Sequence, residues 1–167
     1  MDLNLYIHKT DSDAVIPEIA YNGTSAAFDI TCTETTEIKP GESRVVPNGL
    51  RISIDEADPY YMTVHLRSSL GFKKDLVPHI GIIDAGYTGD FGVKINNIGK
   101  EPVVIEKGSR YAQVLIHRKY NFKFIELDDN EFKDFEARQQ RGSKGFGSSG
   151  KSWIWWGFKY EYDKILS

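Results

Sequence analysis

Hydrophobic and polar residues alternate along much of the chain with the period of two that is typical of β-strands. Alternation marks residues 3–7, 64–66 and 93–95, and short apolar runs occur at 45–46, 80–83, 103–105 and 114–116. Turn-forming pairs such as Asn22-Gly23 and Ala85-Gly86 separate these segments. Many short strands divided by turns predict an all-β fold of the sandwich or barrel type.

The last part of the chain departs from this pattern. Residues 131–140 have helical periodicity, because Phe132 and Phe135 are three positions apart. Residues 141–150 are rich in glycine and serine, which suits neither a strand nor a helix interior, and residues 151–167 are rich in aromatic side chains. We therefore expect a β-domain over 1–140, a flexible arm over 141–150 and an aromatic extension over 151–167.

Composition narrows the classes of function. The chain has 167 residues, which suits one domain, and its net charge of −3 lacks the basic surplus of a protein that binds nucleic acid. A small anionic ligand remains compatible with this charge. Cys32 is the single cysteine, so no intramolecular disulfide and no cysteine-based metal site is expected. With neither a signal peptide nor an apolar run long enough to span a bilayer, we expect a cytoplasmic protein that binds no membrane.

Five short segments carry candidate chemistry, and they lie at residues 25–30, 66–71, 81–90, 108–115 and 141–150. In this order along the chain they resemble the motifs of the trimeric dUTPase family. Each segment by itself also fits an ordinary turn, strand or linker. All five in sequence, on a chain with all-β patterning, favour the family over coincidence.

The resemblance implies a jelly-roll-like β-barrel or sandwich that assembles as a homotrimer, with active sites shared between subunits. The implied substrate is dUTP, which is hydrolysed to dUMP and pyrophosphate by attack of water on the α-phosphorus. This reaction limits uracil in DNA and supplies dUMP for dTTP synthesis. The implied cofactor is Mg²⁺, which prefers phosphate and water oxygens as ligands.

The third segment is the most informative for catalysis. Asp84 ends an apolar strand, so we expect its carboxylate to be partly desolvated and firmly held, as suits a general base acting on water. The resemblance implies that Gln113 orients this water and an α-phosphate oxygen, and that Asp29 supports the water shell of the metal ion indirectly. Tyr87 is implied to pack under the deoxyribose and to leave no space for a 2′-hydroxyl group.

The remaining positions concern substrate binding. An arginine fork, a hydroxyl group and backbone N–H groups suit phosphate oxygens, while strand-fixed backbone groups suit the edge of a uracil base. In the arm, Arg141 is implied to meet the γ-phosphate and Phe146 to stack on the uracil ring. The implied substrate-binding residues are Arg67, Ser68, Ser69, Gly81, Tyr87, Gly92, Arg141, Phe146, Gly147, Ser148 and Ser149.

Two alternatives have a basis in the sequence. The dCTP deaminases resemble this family in fold and in the loop that begins at Arg67, but they use a glutamate ten residues after the hairpin aspartate, where this chain has Lys94. A regulatory member of the family that binds another protein is the second alternative, suggested by the aromatic extension at 151–167. Packing of that extension against the trimer surface is the favoured interpretation, because soluble proteins rarely expose so much aromatic area.

Overall fold

The structure is a computed structural model that describes residues 3–143, and this part of the chain is mostly β. The predicted all-β character is confirmed, with two short helices added. The strands are β1 Tyr6–Lys9, β2 Ala27–Thr31, β3 Thr36–Ile38, β4 Ser43–Val46, β5 Leu50–Ser53, β6 Tyr60–Leu66, β7 Leu76–Pro78, β8 Ile82–Asp84, β9 Val93–Asn97, β10 Val103–Ile105 and β11 Arg110–Arg118. The helices are α1 Ser68–Lys74 and α2 Asp129–Ala137.

The strands form four antiparallel sheets. The largest has the order β2-β11-β6-β8, the next has the order β4-β9-β7, and β1-β5 and β3-β10 are two-stranded pairs. In β6, Met62, Val64 and Leu66 are buried while the intervening side chains are half-buried. Alternation therefore gives β6 one face toward the core and one face away from it, as the sequence pattern predicts.

The core is apolar but contains a few polar groups with defined partners. Tyr111 is completely buried, and its hydroxyl donates a hydrogen bond to the carbonyl oxygen of Val46 at 2.8 Å. Burial raises the pKa of Tyr111 well above its ordinary value. Asn97 donates to the carbonyl oxygens of Ile38 and Glu101, both at 2.8 Å, so its buried amide stabilises the turn that follows β9.

Helix α2 differs from the prediction at both ends, since it covers Asp129–Ala137 rather than 131–140. The start is set by a capping box: the Asp128 carboxylate accepts from the N–H groups of Asn130 and Glu131, and the Glu131 carboxylate accepts from the N–H of Asp128. Phenylalanine spacing located the helix, but the cap decided where it begins.

Helix α1 lies where the sequence analysis expected a loop. Arg67 precedes the helix in an extended conformation, and Lys73 and Lys74 lie in its last turn, where cations interact favourably with the helix dipole. Asp75 ends the helix in the left-handed conformation, and its N–H donates to the carbonyl oxygen of Leu70. The sequence did not distinguish a loop from a helix here, because a polar start such as Arg67-Ser68-Ser69 is typical of both a turn and a short helix.

The chain divides into two compact units, Met1–Asn121 and Phe122–Ser167. The first unit holds the sheets, and the described part of the second holds α2. The predicted limits at residues 140 and 150 stay predictions. Over residues 3–143, neither helix has the length and apolar character needed to cross a membrane.

Candidate active site

The segments around β8 and β9 enclose a cleft of about 430 Å³ in the first unit. This volume lies within the range of small-molecule sites in proteins. The cleft brings together four of the predicted site residues, which are Gly81, Asp84, Tyr87 and Gly92. The third motif therefore forms a concave surface and not simply a solvated turn.

Asp84 is the last residue of β8, as predicted, but its side chain is exposed in the single chain. The expected partial desolvation is therefore wrong for one chain by itself. Strand β8 is the edge strand of the largest sheet, and Asp84 alternates with the buried Ile83, so its side chain lies on the face away from the core. Within residues 3–143 nothing shields this carboxylate from solvent.

Tyr87 is held in place by its own loop. Its N–H donates to the carbonyl oxygen of Asp84 at 3.2 Å, in a turn where Gly86 has a φ angle of 81° that favours glycine. The phenol hydroxyl donates to the backbone carbonyl of Asp90 at 2.9 Å. A Cβ atom at Gly89 would lie 2.5 Å from this hydroxyl oxygen, so glycine there lets the ring lie against the loop.

The Asp90 side chain is anchored outside the motif. Arg51 of β5 donates to it twice, from Nε to Oδ1 at 3.0 Å and from Nη2 to Oδ2 at 3.1 Å. The Arg51 guanidinium holds the pKa of Asp90 below its usual range. Sequence reasoning missed this pair because nothing in the pattern links residues 51 and 90. The pair fixes the far end of the loop that carries Tyr87.

The two glycines of the cleft have different surroundings. At Gly92 an added Cβ would overlap the Cγ1 atom of Val45, so a larger residue there requires the Val45 side chain to move. The preceding residue, Phe91, is fixed by Asn48, whose buried amide donates to the Phe91 carbonyl oxygen at 2.6 Å. At Gly81 an added Cβ would meet open space.

A second group of predicted residues lies on the outer face of the largest sheet. The Oδ2 atom of Asp29 is 3.4 Å from Nε of Arg67 and 3.3 Å from Nη1 of Arg110. Gln113 pairs with Asp29 across β11 and β2, and its Nε2 donates to the carbonyl oxygen of Leu66 at 3.2 Å. The segments at residues 25–30, 66–71 and 108–115 therefore lie together on one surface.

Ser68 and Ser69 continue this surface at the start of α1. Both side chains are exposed, and the N–H of Arg67 just before them donates to the carbonyl oxygen of Tyr111. This hydrogen bond ties the start of α1 to β11, the strand that carries Gln113. The serine hydroxyl groups are thereby available to a ligand beside the Asp29–Arg67 ion pair.

The two groups do not meet within one chain. Gln113 lies opposite His65 of β6, whereas Asp84 lies opposite Tyr61 of the same strand. These β6 positions are separated by about 13 Å along the strand, and β11 and β8 lie on opposite sides of β6, about 10 Å apart. The structure thus separates the two residues that the sequence analysis joined as catalytic partners.

Part of the fifth motif lies outside the described residues. Arg141 is described and exposed, whereas Phe146, Gly147, Ser148, Ser149 and the extension at 151–167 are not. Their implied roles stay predictions. Among residues 3–143 no group of three or more His, Cys, Asp or Glu side chains is arranged to hold a metal ion.

A sequence profile described as dUTPase matches residues 12–150, which is most of the chain. The chain belongs to the dUTPase family. The resemblance based on the five motifs is confirmed, and the two alternatives, deamination and a purely regulatory role, are not favoured.

Relatives of the dUTPase family match over nearly the whole chain. The deoxyuridine 5′-triphosphate nucleotidohydrolase of Haemophilus influenzae is 36% identical over 156 residues, covering 90% of this chain and 97% of the relative. The dUTPase of Staphylococcus bacteriophage 80alpha with dUPNHPP has a TM-score of 0.78 at 29% identity, covering 88% of this chain and 98% of that one. A dUTPase mutant from phage phi11 of S. aureus, described with a structural Mg(II) ion, shares the fold at a TM-score of 0.69 and 24% identity, covering 75% and 97% of the two chains.

Proposed function

We propose that this protein hydrolyses dUTP to dUMP and pyrophosphate. The observation that carries the proposal is the cleft in which Asp84, Tyr87, Gly81 and Gly92 come together, on a chain of the dUTPase family. Family relatives along nearly the whole length are nucleotidohydrolases of deoxyuridine triphosphate, and a structural neighbour binds dUPNHPP. By limiting dUTP, the reaction keeps uracil out of DNA and provides dUMP for dTTP synthesis.

Asp84 acts as the general base. Its carboxylate takes a proton from a water molecule as the water oxygen attacks the α-phosphorus. The bond between the α-phosphorus and the bridging oxygen breaks, and pyrophosphate leaves with that oxygen. Gln113 orients the water and one α-phosphate oxygen. A substrate that covers the edge of β8 shields from bulk water the carboxylate that is exposed in the single chain.

The active site is shared between subunits of a homotrimer. The separation of Asp84 from Gln113 within one chain supports this arrangement, since two distant groups of site residues need neighbouring copies to meet. One subunit contributes the cleft with Asp84, and a second contributes the surface with Arg67 and Gln113. The sheets of each subunit are arranged as a jelly-roll-like barrel.

The substrate contacts divide between these parts. Tyr87 packs under the deoxyribose and excludes a 2′-hydroxyl, and the backbone groups of Gly81 and Gly92 bind the uracil edge. The phosphate oxygens are bound by Arg67, Ser68 and Ser69, and by the arm from a third subunit. The arm residues with implied contacts are Arg141, Phe146, Gly147, Ser148 and Ser149.

Mg²⁺ fits the donor set as a substrate-bound cofactor. Both ion pairs of Asp29 use Oδ2, which leaves Oδ1 for hydrogen bonds to water around the ion. A hard cation held mainly by phosphate oxygens and water needs no cluster of protein ligands. When bound, the ion neutralises charge on the departing pyrophosphate. Asp29 contributes to this site by holding water and by orienting Arg67.

The setting of the reaction is the cytoplasm, where the nucleotide pool lies. Two roles are predicted for the extension at 151–167, which lies outside the described residues: packing on the trimer surface, or recruitment of a protein partner. Removing residues 151–167 separates the two roles. Packing predicts lower thermal stability of the trimer, whereas partner recruitment predicts unchanged stability and unchanged turnover.

The proposed function is tested by pyrophosphate release from dUTP, dTTP, dCTP and UTP. We expect the wild type to turn over dUTP alone at a high rate. Asp84→Asn should abolish turnover while dUTP binding, measured by calorimetry, changes little, because the amide keeps the shape but cannot accept the proton. Asp134→Asn, on the exposed surface of α2, is the matched control. Full turnover by Asp84→Asn contradicts the mechanism, and a wild type inactive on dUTP contradicts the function.

A further inference from the structure

Lys94 lines the same cleft as Asp84 and Tyr87. It lies on β9 between Val93 and Ile95, which are both buried, so its side chain belongs to the opposite, exposed face of the strand. Gly92 is two residues earlier and shares that alternation. Lys94 therefore extends the wall of the cleft that begins at the glycine proposed to bind the base.

The backbone around Lys94 is fixed on both sides. Lys94 pairs with Val45 of β4, and the carbonyl oxygen of Lys94 accepts a hydrogen bond from the N–H of His79 at 2.8 Å. His79 also lines the cleft. A strand held between two neighbours directs its side chains consistently, so the position of Lys94 relative to Gly92 is set by the sheet and not by a mobile loop.

The Lys94 ammonium is not committed to another role within residues 3–143, where it makes no ion pair and no side-chain hydrogen bond. Asp90, a carboxylate of the same cleft, is already paired with Arg51. Among the described residues that line the cleft, Lys94 is therefore a cation without an ion-pair partner, and Asp84 is the remaining charged residue.

An ammonium group donates hydrogen bonds and accepts none. Uracil presents a carbonyl oxygen at position 4, where cytosine presents an amino group that also donates. We infer that Lys94 is a specificity-determining residue, which donates to the 4-carbonyl oxygen of the uracil base and opposes the 4-amino group of cytosine. The inference rests on the proposed function, because it places the pyrimidine in this cleft. It adds a charged side chain to the backbone contacts of Gly81 and Gly92.

Calorimetric titration of the full chain with dUDP and dCDP tests the base contact. We expect Lys94→Met to weaken dUDP binding about tenfold, as for loss of a hydrogen bond to a charged donor, and to strengthen dCDP binding, because the ammonium no longer opposes the 4-amino group. Lys94→Glu should reverse the preference in favour of dCDP, because a carboxylate accepts from the 4-amino group. Lys94→Arg should keep the wild-type preference, and Lys100→Met, an exposed lysine in the β9–β10 turn, is the matched control.

Two further measurements exclude other roles. If Lys94 contacts phosphate instead of the base, Lys94→Met will weaken dUDP more than dUMP and will weaken dCDP equally, which overturns the inference. If it acts on Asp84, the pH profile of kcat/KM will shift while the base preference stays, which also overturns it. If the wild type turns over dUTP and Lys94→Met keeps the wild-type preference for dUDP over dCDP, this inference is wrong and the proposed function stands. If the wild type does not turn over dUTP, the proposed function itself is wrong.

Discussion

The Arg51 guanidinium holds the Asp90 carboxylate through two parallel hydrogen bonds of 3.0 and 3.1 Å. The backbone carbonyl oxygen of Asp90 in turn accepts a hydrogen bond from the hydroxyl of Tyr87. Arg51 lies on β5, outside every motif that the sequence analysis identified. The chain of contacts makes Arg51 a positioning residue for the ring that is proposed to exclude ribonucleotides.

Arg51→Ala should lower discrimination between dUTP and UTP. We expect the ratio of their kcat/KM values to fall about tenfold, because a loosened loop lets the Tyr87 ring move away from the sugar. The free energy of unfolding should change little, since the ion pair is exposed. Arg44→Ala, on β4, which breaks an ion pair with Glu42, is the control. Equal discrimination in the wild type and Arg51→Ala would show that Tyr87 needs no support from β5.

Asp29→Asn should distinguish two proposed roles of this carboxylate, which are holding water around the metal ion and orienting Arg67. We expect the Mg²⁺ concentration for half-maximal activity to rise by about 10- to 100-fold, as for loss of an outer ligand that holds metal-bound water. The KM for dUTP should rise as well, because Arg67 loses its ion pair.

Asp13→Asn, which removes an exposed pair with Lys107, provides the comparison for Asp29→Asn. A higher KM with an unchanged Mg²⁺ requirement would restrict Asp29 to orienting Arg67 and would contradict its role near the metal.

Asn48→Ala should weaken both the fold and the cleft. The buried amide donates to the carbonyl oxygen of Phe91 and accepts from the N–H of Leu50 at 2.9 Å. Its loss leaves a buried backbone group without a partner, and we expect unfolding to become easier by about 2–4 kcal/mol in urea titrations. The KM for dUTP should rise, since Phe91 precedes Gly92. Asn121→Ala is the exposed control, and equal stability of the two variants would contradict this account.

Because Tyr111 is buried, we expect the free energy of unfolding to fall at alkaline pH. Its folded pKa is raised by burial, while the unfolded value stays at about 10, so the unfolded chain loses this proton first. The contribution of Tyr111 to stability is therefore complete below about pH 10 and declines by up to about 1.4 kcal/mol per pH unit as pH rises further. Urea unfolding between about pH 8 and about pH 11 measures this slope.

Comparison with tyrosine-to-phenylalanine variants isolates the contribution of Tyr111. Tyr111→Phe should be less stable near neutral pH by about 1–2 kcal/mol, because the carbonyl oxygen of Val46 loses its donor. Its stability difference from the wild type should shrink above about pH 10. Tyr120→Phe, at an exposed position, should keep the wild-type slope. Parallel curves for the wild type and Tyr111→Phe would refute the assignment.

The order of residues along the chain by itself determined the strands, the family and the local chemistry of each motif. Alternation such as Met62-Thr63-Val64 is a local property, because side chains of a strand point to opposite faces whatever the strand pairs with. The turn that carries Asp84 and Tyr87 is likewise short enough to be read from consecutive residues. The beginning of α2 depends on the capping box at Asp128, which the spacing of Phe132 and Phe135 does not reveal.

Tertiary structure alone decided which of these motifs meet. The pairing of Arg51 with Asp90, the convergence of Asp29 with Arg67, and the place of Lys94 in the cleft depend on strand pairing between distant segments. The exposure of Asp84 depends on β8 being an edge strand, and its distance from Gln113 depends on β6 lying between them. Such relationships arise from long-range register, which a local pattern of polar and apolar residues does not encode.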